Sequence, residues 1–129
     1  MATKILIVDD ERAILFAMRE YFAAYGFDVD CARDRQEAET LLIEQSYAVL
    51  ITDLRLTGSE DTDGLDIVRF ALERHTSTRS ILLTAYGTPE IERMASALGV
   101  SVCLSKPRPL DEILETVVEL LEETAACTS

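Results

Sequence analysis

Four apolar runs in this sequence each end in a polar residue with chemistry to offer, and this restricts the fold more than any other feature. Lys4-Ile5-Leu6-Ile7-Val8 runs into Asp9-Asp10, and Ala48-Val49-Leu50-Ile51-Thr52 runs into Asp53. Ser80-Ile81-Leu82-Leu83 runs into Thr84, and Val100-Ser101-Val102-Cys103-Leu104 runs through Ser105 into Lys106-Pro107. Short, branched, nearly continuous apolar runs are the pattern of strands buried on both faces of a parallel sheet. Parallel strands point the same way, so the four ends meet at the carboxyl edge, where open α/β sheets bind ligands. That edge then holds three carboxylates, a hydroxyl and an ammonium, a set suited to phosphoryl chemistry around a divalent metal.

The rest of the chain fits between these strands. Apolar runs alternate with amphipathic stretches five times, which predicts a βαβα order with helices on both faces of the sheet. The expected strands are about 4–9, 27–32, 48–53, 79–84 and 100–105, and the expected helices about 11–25, 35–45, 65–75, 88–98 and 109–124. Gly26 and Gly99 are placed to stop helices, and Asp34 with Glu37 three residues on makes a capping box. Thr88 before Pro89 reads as an N-cap followed by a first-turn proline, and Pro109 marks the start of the last helix. One domain is expected over residues 1–124, with a frayed tail over 125–129, and no repeat or linker interrupts it.

Composition removes several classes. With 24 acidic residues against 12 basic ones the formal net charge is −12, the wrong sign for neutralising nucleic-acid phosphates. No apolar run reaches the roughly 18 residues of a membrane span, and Asp9-Asp10 cut short any secretory segment. Cys31, Cys103 and Cys127 are odd in number and scattered, so neither a disulfide framework nor a zinc site is expected, and a cytoplasmic setting is.

Asp53, at a strand-to-helix turn, suits a nucleophile that takes up a phosphoryl group, or simply a helix cap. Asp9 and Asp10 diverge by the strand's period of two, so one can meet a metal directly and the other through water. Asp10 also stands where it can cap the first helix. Three carboxylates in one cleft need a cation, and Mg²⁺, a hard octahedral ion, fits oxygen ligands of this kind. The single histidine, His75, reads as a plain surface residue, which argues against a soft-metal site. Thr84 can donate its hydroxyl hydrogen to a phosphoryl oxygen, and Lys106 can neutralise one. In the first helix Ile14, Met18, Tyr21 and Tyr25 suit the core, whereas Phe16 falls on the opposite side and offers an exposed ring to a partner.

Taken together, Val8-Asp9-Asp10-Glu11, Thr52-Asp53-Leu54-Arg55-Leu56, Leu83-Thr84-Ala85-Tyr86-Gly87 and Ser105-Lys106-Pro107 resemble the receiver domain of bacterial two-component response regulators. The resemblance spans nearly the whole chain. It implies a flavodoxin-like (βα)5 three-layer sandwich with strand order 2-1-3-4-5. It also implies Asp53 as phosphoacceptor, Asp9 and Asp10 as the acidic pair holding Mg²⁺, and the backbone carbonyl of Arg55 as a further ligand. Thr84 and Lys106 would serve as switch and phosphate contact, with a cis Lys106–Pro107 bond. The implied partners are a sensor histidine kinase or phosphotransfer protein, a downstream output domain or protein, and a second copy of the chain in a homodimer.

Two positions depart from the family pattern. Cys103 stands where receivers usually carry a Tyr or Phe, three residues before the lysine, and a thiol is too small to move as that ring does. A small buried hydrophobe is the simplest reading of it. Between Gly58 and Asp63-Gly64 the loop carries Ser59-Glu60-Asp61-Thr62, and its acidic residues Glu60, Asp61 and Asp63 read as a solvated run, an added metal ligand or a selector of the phosphodonor. Arg55 and Tyr86, both bulky, flank the path of hydrolytic water in the family, so slow self-dephosphorylation is expected. The alternative to a phosphate-driven switch is a receiver fold serving only as an interaction module. An aspartyl phosphatase of the haloacid-dehalogenase kind is disfavoured, since Arg55 replaces the second aspartate that such enzymes need.

Overall fold

The computed structural model describes residues 2–54, 63–85 and 87–128, with side chains through Glu122. Five strands and five helices alternate along it: β1 (Lys4–Val8), α1 (Arg12–Ala24), β2 (Asp28–Ala32), α2 (Arg35–Glu44), β3 (Val49–Asp53), α3 (Asp63–Arg74), β4 (Arg79–Thr84), α4 (Pro89–Leu98), β5 (Val102–Ser105) and α5 (Leu110–Thr128). The strands form one parallel sheet in the order β2-β1-β3-β4-β5. This is the flavodoxin-like order that the resemblance to receiver domains implies. No described helix is long and apolar enough to cross a membrane.

Strand side chains alternate with period two, and that alternation divides the core. Ile5, Ile7, Val49, Ile51, Ile81 and Leu83 face α1 and α5, packing on Phe22, Met18 and Val117. Leu6, Val8 and Leu50 face the other way, onto Ala38 and Leu42 of α2 and Ile67, Val68 and Ala71 of α3. Leu82 turns to Leu54, Leu65 and Ala95, with Cys103 and Ile91 beside them.

Helix ends follow their local chemistry. Asp34 accepts from the Glu37 amide at 2.8 Å, while Glu37 accepts from the Arg33 amide at 2.7 Å, one residue ahead of the usual capping-box donor. Thr88 accepts from the Ile91 amide at 3.2 Å, ahead of Pro89 at the start of α4. Gly99 ends α4 in the left-handed region with φ 109°, a conformation that favours glycine.

Several expectations need correction. The buried stripe of α1 is Leu15, Met18 and Phe22, and Tyr25 is 61% exposed rather than in the core. Leu15 and Phe22 complete an i, i+3, i+7 row with Met18, whereas Tyr25 stands at the C-cap, past the last helical residue Ala24. Phe16 is exposed, as expected. Asp10 does not cap α1, because the N-cap is Glu11, whose own amide is taken by Asp9. Helix α5 continues to Thr128 instead of fraying after 124, since Ala125 and Ala126 favour helix and neither glycine nor proline intervenes. His75 is half-buried, with Nε2 3.0 Å from the Leu42 carbonyl oxygen and Nδ1 3.4 Å from Ser46 Oγ, so it joins α3 to the end of α2.

Candidate functional site

The register of the sheet assembles the site. Ile7 pairs with Ile51 and Val8 with Thr52, so the next step brings Asp9 level with Asp53. Both continue the parity of residues facing α1 and α5. So does Lys106, two residues after Leu104, which packs in that same core layer. Thr84 has the opposite parity, shared with Leu82, and is buried at the end of β4.

Asp9, Asp10 and Asp53 each offer a carboxylate oxygen within 4.8 Å of the others. The Lys106 ammonium donates to Asp53 Oδ2 at 2.8 Å and lies 3.3 Å from Asp9 Oδ2. Asp9 is 1% exposed, and its second oxygen accepts the Glu11 amide at 2.9 Å. Burial pushes the Asp9 carboxyl above its usual range, against the pull of the Glu11 amide and Lys106. At Lys106 burial alone would lower the ammonium's pKa, but the hydrogen bond to Asp53 and the charge of Asp9 outweigh it and raise it. The cluster thus holds more negative charge than its one ammonium offsets, at a largely buried edge. Three hard oxygen donors in this setting fit a divalent cation of the Mg²⁺ kind.

The backbone around the cluster is fixed from both sides. Lys106 N–H donates to the Thr84 carbonyl at 2.8 Å, and the Lys106–Pro107 peptide is cis. Leu54 N–H donates to the Leu83 carbonyl at 2.9 Å, and Gly64 N–H to the Leu54 carbonyl at 2.9 Å. Gly64 sits so close that a Cβ there would overlap the Asp53 carbonyl oxygen and stand 2.8 Å from Leu54 Cα. The Asp63-Gly64 pair is visible in the sequence, but this clearance depends on how α3 returns against β3. An apolar cleft of about 580 Å³ opens beside Asp53, Thr84 and Lys106, walled by Ile14, Met18 and Ile113. Arg108, at its rim, is held by Glu112 at 3.2 Å and Ser105 at 3.4 Å, a placement that the sequence reading missed.

Every described site residue expected from sequence therefore lies at this edge. Arg55, Tyr86 and the 59–62 segment fall outside the described residues. Cys103, paired with Leu82, is half-buried on the α4 side, where burial and then Glu92 push its thiol up. It packs there as a small hydrophobe beside Leu82 and Ile91.

The family model for the response regulator receiver domain matches residues 5–118. The chain belongs to this family, the receiver domains of two-component systems. This receiver domain is 34% identical over 118 residues to the response regulator protein PilR of Pseudomonas aeruginosa, a match covering 92% of the chain and 26% of PilR. It is 34% identical over 130 residues to the transcriptional regulatory protein SrrA of Staphylococcus aureus, covering 99% of the chain and 52% of SrrA. The chain thus spans about a quarter to a half of these relatives. Among solved structures, a CheY-like receiver domain protein from Methanospirillum hungatei JF-1 superposes with a TM-score of 0.90 at 23% identity, over 98% of each chain. A Burkholderia pseudomallei response regulator, crystallised with a phosphorylated aspartic acid, calcium ion and citrate, gives 0.80 at 21% identity, over 98% of this chain and 75% of that one.

Proposed function

We propose that this receiver domain takes a phosphoryl group onto Asp53 from a sensor histidine kinase or phosphotransfer protein and passes the change to an output domain or protein. The observation that carries the proposal is the 2.8 Å contact between Lys106 and Asp53 within a cluster of three carboxylates. An Asp53 carboxylate oxygen forms the bond to phosphorus as the donor's bond to phosphorus breaks, and the electron pair leaves with the donor. Asp9, Asp10, Asp53 and the Arg55 backbone carbonyl would hold Mg²⁺. Bound there, the ion supplies positive charge to the transferred oxygens.

The protein's own groups do the rest. The Lys106 ammonium turns from Asp53 to a phosphoryl oxygen, and the Thr84 hydroxyl donates to another. Phosphorylation adds about −1.5 to −2 charges at pH 7, which favours the arrangement with Thr84 drawn toward the edge and shifts the α4–β5–α5 face. The same face is where a homodimer or an output partner would read the change. Cys103, standing where receivers carry a ring, favours a second reading, in which the fold serves as an interaction module and ignores phosphate. Arg55 and Tyr86 are proposed to slow loss of the phosphoryl group by crowding the approach of water.

Intact-mass measurement after incubation with acetyl phosphate and Mg²⁺, for the wild type and Asp53→Asn, separates the two readings. Gain of one phosphoryl group by the wild type alone supports the acceptor. No gain by the wild type leaves the interaction module.

A further inference from the structure

The cleft beside Asp53 has a charged end and an apolar end. Asp53 and Thr84 close β3 and β4, Lys106 follows β5, and Glu11 and Arg108 lie just ahead of α1 and α5. All five therefore border the carboxyl edge of the sheet. Away from that edge the walls are apolar. Ile14, Ala17 and Met18 lie three and four residues apart on one face of α1, and Leu110 and Ile113 line the cleft from α5. Among the described lining residues, only Glu11, Asp53, Lys106 and Arg108 carry charge. At about 580 Å³ the cleft falls within the range of about 300–1,000 Å³ typical of small-molecule pockets. Such a space suits a ligand with a polar head at the edge and an uncharged, apolar body between the two helices.

Arg108 bears on the chemistry of that head. Its Nη1 donates to Glu112 Oε1 at 3.2 Å and its Nη2 to Ser105 Oγ at 3.4 Å, and both partners are exposed. Its Nε is buried without a hydrogen-bond partner, the one such side-chain nitrogen or oxygen among the described residues. A buried donor left unmade is costly, and a guanidinium grips a carboxylate through two parallel bonds. Nε and Nη2 form one such two-pronged edge. Here that edge is committed only to a neutral hydroxyl, in the wall of a cleft that also holds Asp53.

An acyl phosphate with an apolar chain joins these features in one molecule. We propose that the cleft selects the small phosphodonor: Asp53 takes its phosphoryl group from a longer-chain acyl phosphate in preference to acetyl phosphate. The acyl chain lies between α1 and α5, and the departing carboxylate pairs with Arg108. The proposal rests on Asp53 as the acceptor and names the class of small donor that the same site prefers. An Asp53 carboxylate oxygen forms the bond to phosphorus as the bond from phosphorus to the acyl oxygen breaks. The electron pair leaves on that oxygen, so the product is a carboxylate and no proton moves. A donor that carries its phosphoryl group on nitrogen departs instead as a neutral amine or imidazole, with no carboxylate for Arg108 to receive. Arg108 and the apolar walls thus act on one class of donor.

The test compares hexanoyl phosphate, acetyl phosphate and phosphoramidate as donors to the intact chain with Mg²⁺, following phosphoryl gain by intact mass. Hexanoate and acetate are nearly equal leaving groups, so a difference between the two acyl donors reports the cleft. A fully buried methylene is worth about fourfold and the cleft is open, so hexanoyl phosphate should react at least about tenfold faster than acetyl phosphate at equal low concentration. Ala17→Phe, which fills the cleft from an exposed position on α1, should cut that preference to within about twofold. Arg108→Met should lower the ratio of hexanoyl phosphate to phosphoramidate rates at least about fivefold. Binding without reaction is read by titration calorimetry with 2-oxoheptylphosphonate, in which a methylene replaces the bridging oxygen. It should bind the wild type at least about fivefold tighter than 2-oxopropylphosphonate does. Wild-type rates with the two acyl donors within about twofold, or equal binding of the two phosphonates, overturn the proposal without recourse to any variant. So does an equal loss with all three donors in an Arg108→Met chain that folds normally by circular dichroism. Uptake from phosphoramidate but from neither acyl donor overturns it and leaves Asp53 as the acceptor, whereas uptake from none of the three overturns both readings.

Discussion

Gly64→Ala tests whether the acceptor edge is held by backbone clearance. Gly64 opens the first turn of α3 with its N–H on the Leu54 carbonyl at 2.9 Å. An added methyl would overlap the Asp53 carbonyl oxygen and lie 2.8 Å from Leu54 Cα and 3.0 Å from the Asp53 carbonyl carbon. Carbon atoms in ordinary contact stand about 3.5–4.0 Å apart, so α3 and the end of β3 must separate by roughly 0.7 Å or more. Both sides of the clash are backbone, so no side-chain rotamer relieves it. Overpacking of this kind costs about 1–3 kcal/mol, and stretching the Gly64–Leu54 hydrogen bond adds about 1 kcal/mol. The helix preference of alanine returns at most about 1 kcal/mol. The net loss is about 1–3 kcal/mol. With a urea slope of about 2 kcal/mol/M for a domain of this size, the midpoint should fall by about 0.5–1.5 M. Uptake of a phosphoryl group from acetyl phosphate should fall with it, even at urea-free conditions where the variant is folded, because Asp53 is displaced. A midpoint within about 0.3 M of wild type would refute the reasoning.

Two further substitutions probe the charge balance of the same edge. Burial raises the Asp9 pKa, so its ionised form is disfavoured in the folded state; the penalty is absent below the unfolded value near 3.8 and complete above the folded one. Without divalent cations, Asp9→Asn should therefore raise the urea midpoint at pH 7, with the gain shrinking as pH falls toward 4. The Lys106 ammonium is net stabilised by Asp53 and Asp9, so its contribution is full below the ordinary lysine range and is lost only as pH rises through the raised value. Lys106→Met should then cost about 1–3 kcal/mol at neutral pH, because it leaves partly buried carboxylates without their cation. Millimolar Mg²⁺ should raise the melting temperature of this variant more than that of wild type, measured by thermal denaturation with and without EDTA.

The strands and the site were legible in the sequence for one reason: buried parallel strands write themselves as apolar runs, and each run ends where its chemistry begins. Asp9, Asp53, Thr84 and Lys106 could be found without coordinates because the carboxyl edge collects strand ends whatever the helices do. The errors lie where one-dimensional pattern is weakest. Tyr25 reads as core by hydrophobicity, yet it falls at the C-cap of α1, Leu15 and Phe22 hold the row over the sheet, and an amphipathic tyrosine tolerates water. Asp10 read as a cap because Asp suits that position, but the α1 N-cap falls one residue later and Asp9 reaches the Glu11 amide. Gly64 could not be weighed from sequence, since its clearance depends on how α3 returns against β3.

The parity of the sheet also limits how a change at the site can be transmitted. Asp9, Asp53 and Lys106 continue the rows that face α1 and α5, whereas Thr84 and Cys103 belong to the rows facing α4. Under the proposed phosphoryl switch, a change that begins at Asp53 would have to cross the sheet to reach α4. The crossing point is the β4–β5 ladder, where the Thr84 carbonyl accepts the Lys106 amide at 2.8 Å and Leu82 lies opposite Cys103. In a receiver with a ring at position 103, a rotamer change could carry the shift outward. With a half-buried thiol there, the load falls on the packing of Leu82 and Cys103 against Ile91 and Ala95 of α4. Interiors are close-packed, so such a layer moves as a unit rather than by one swinging side chain. Under the proposed switch, coupling to α4 would rest on how that helix seats on β4 and β5.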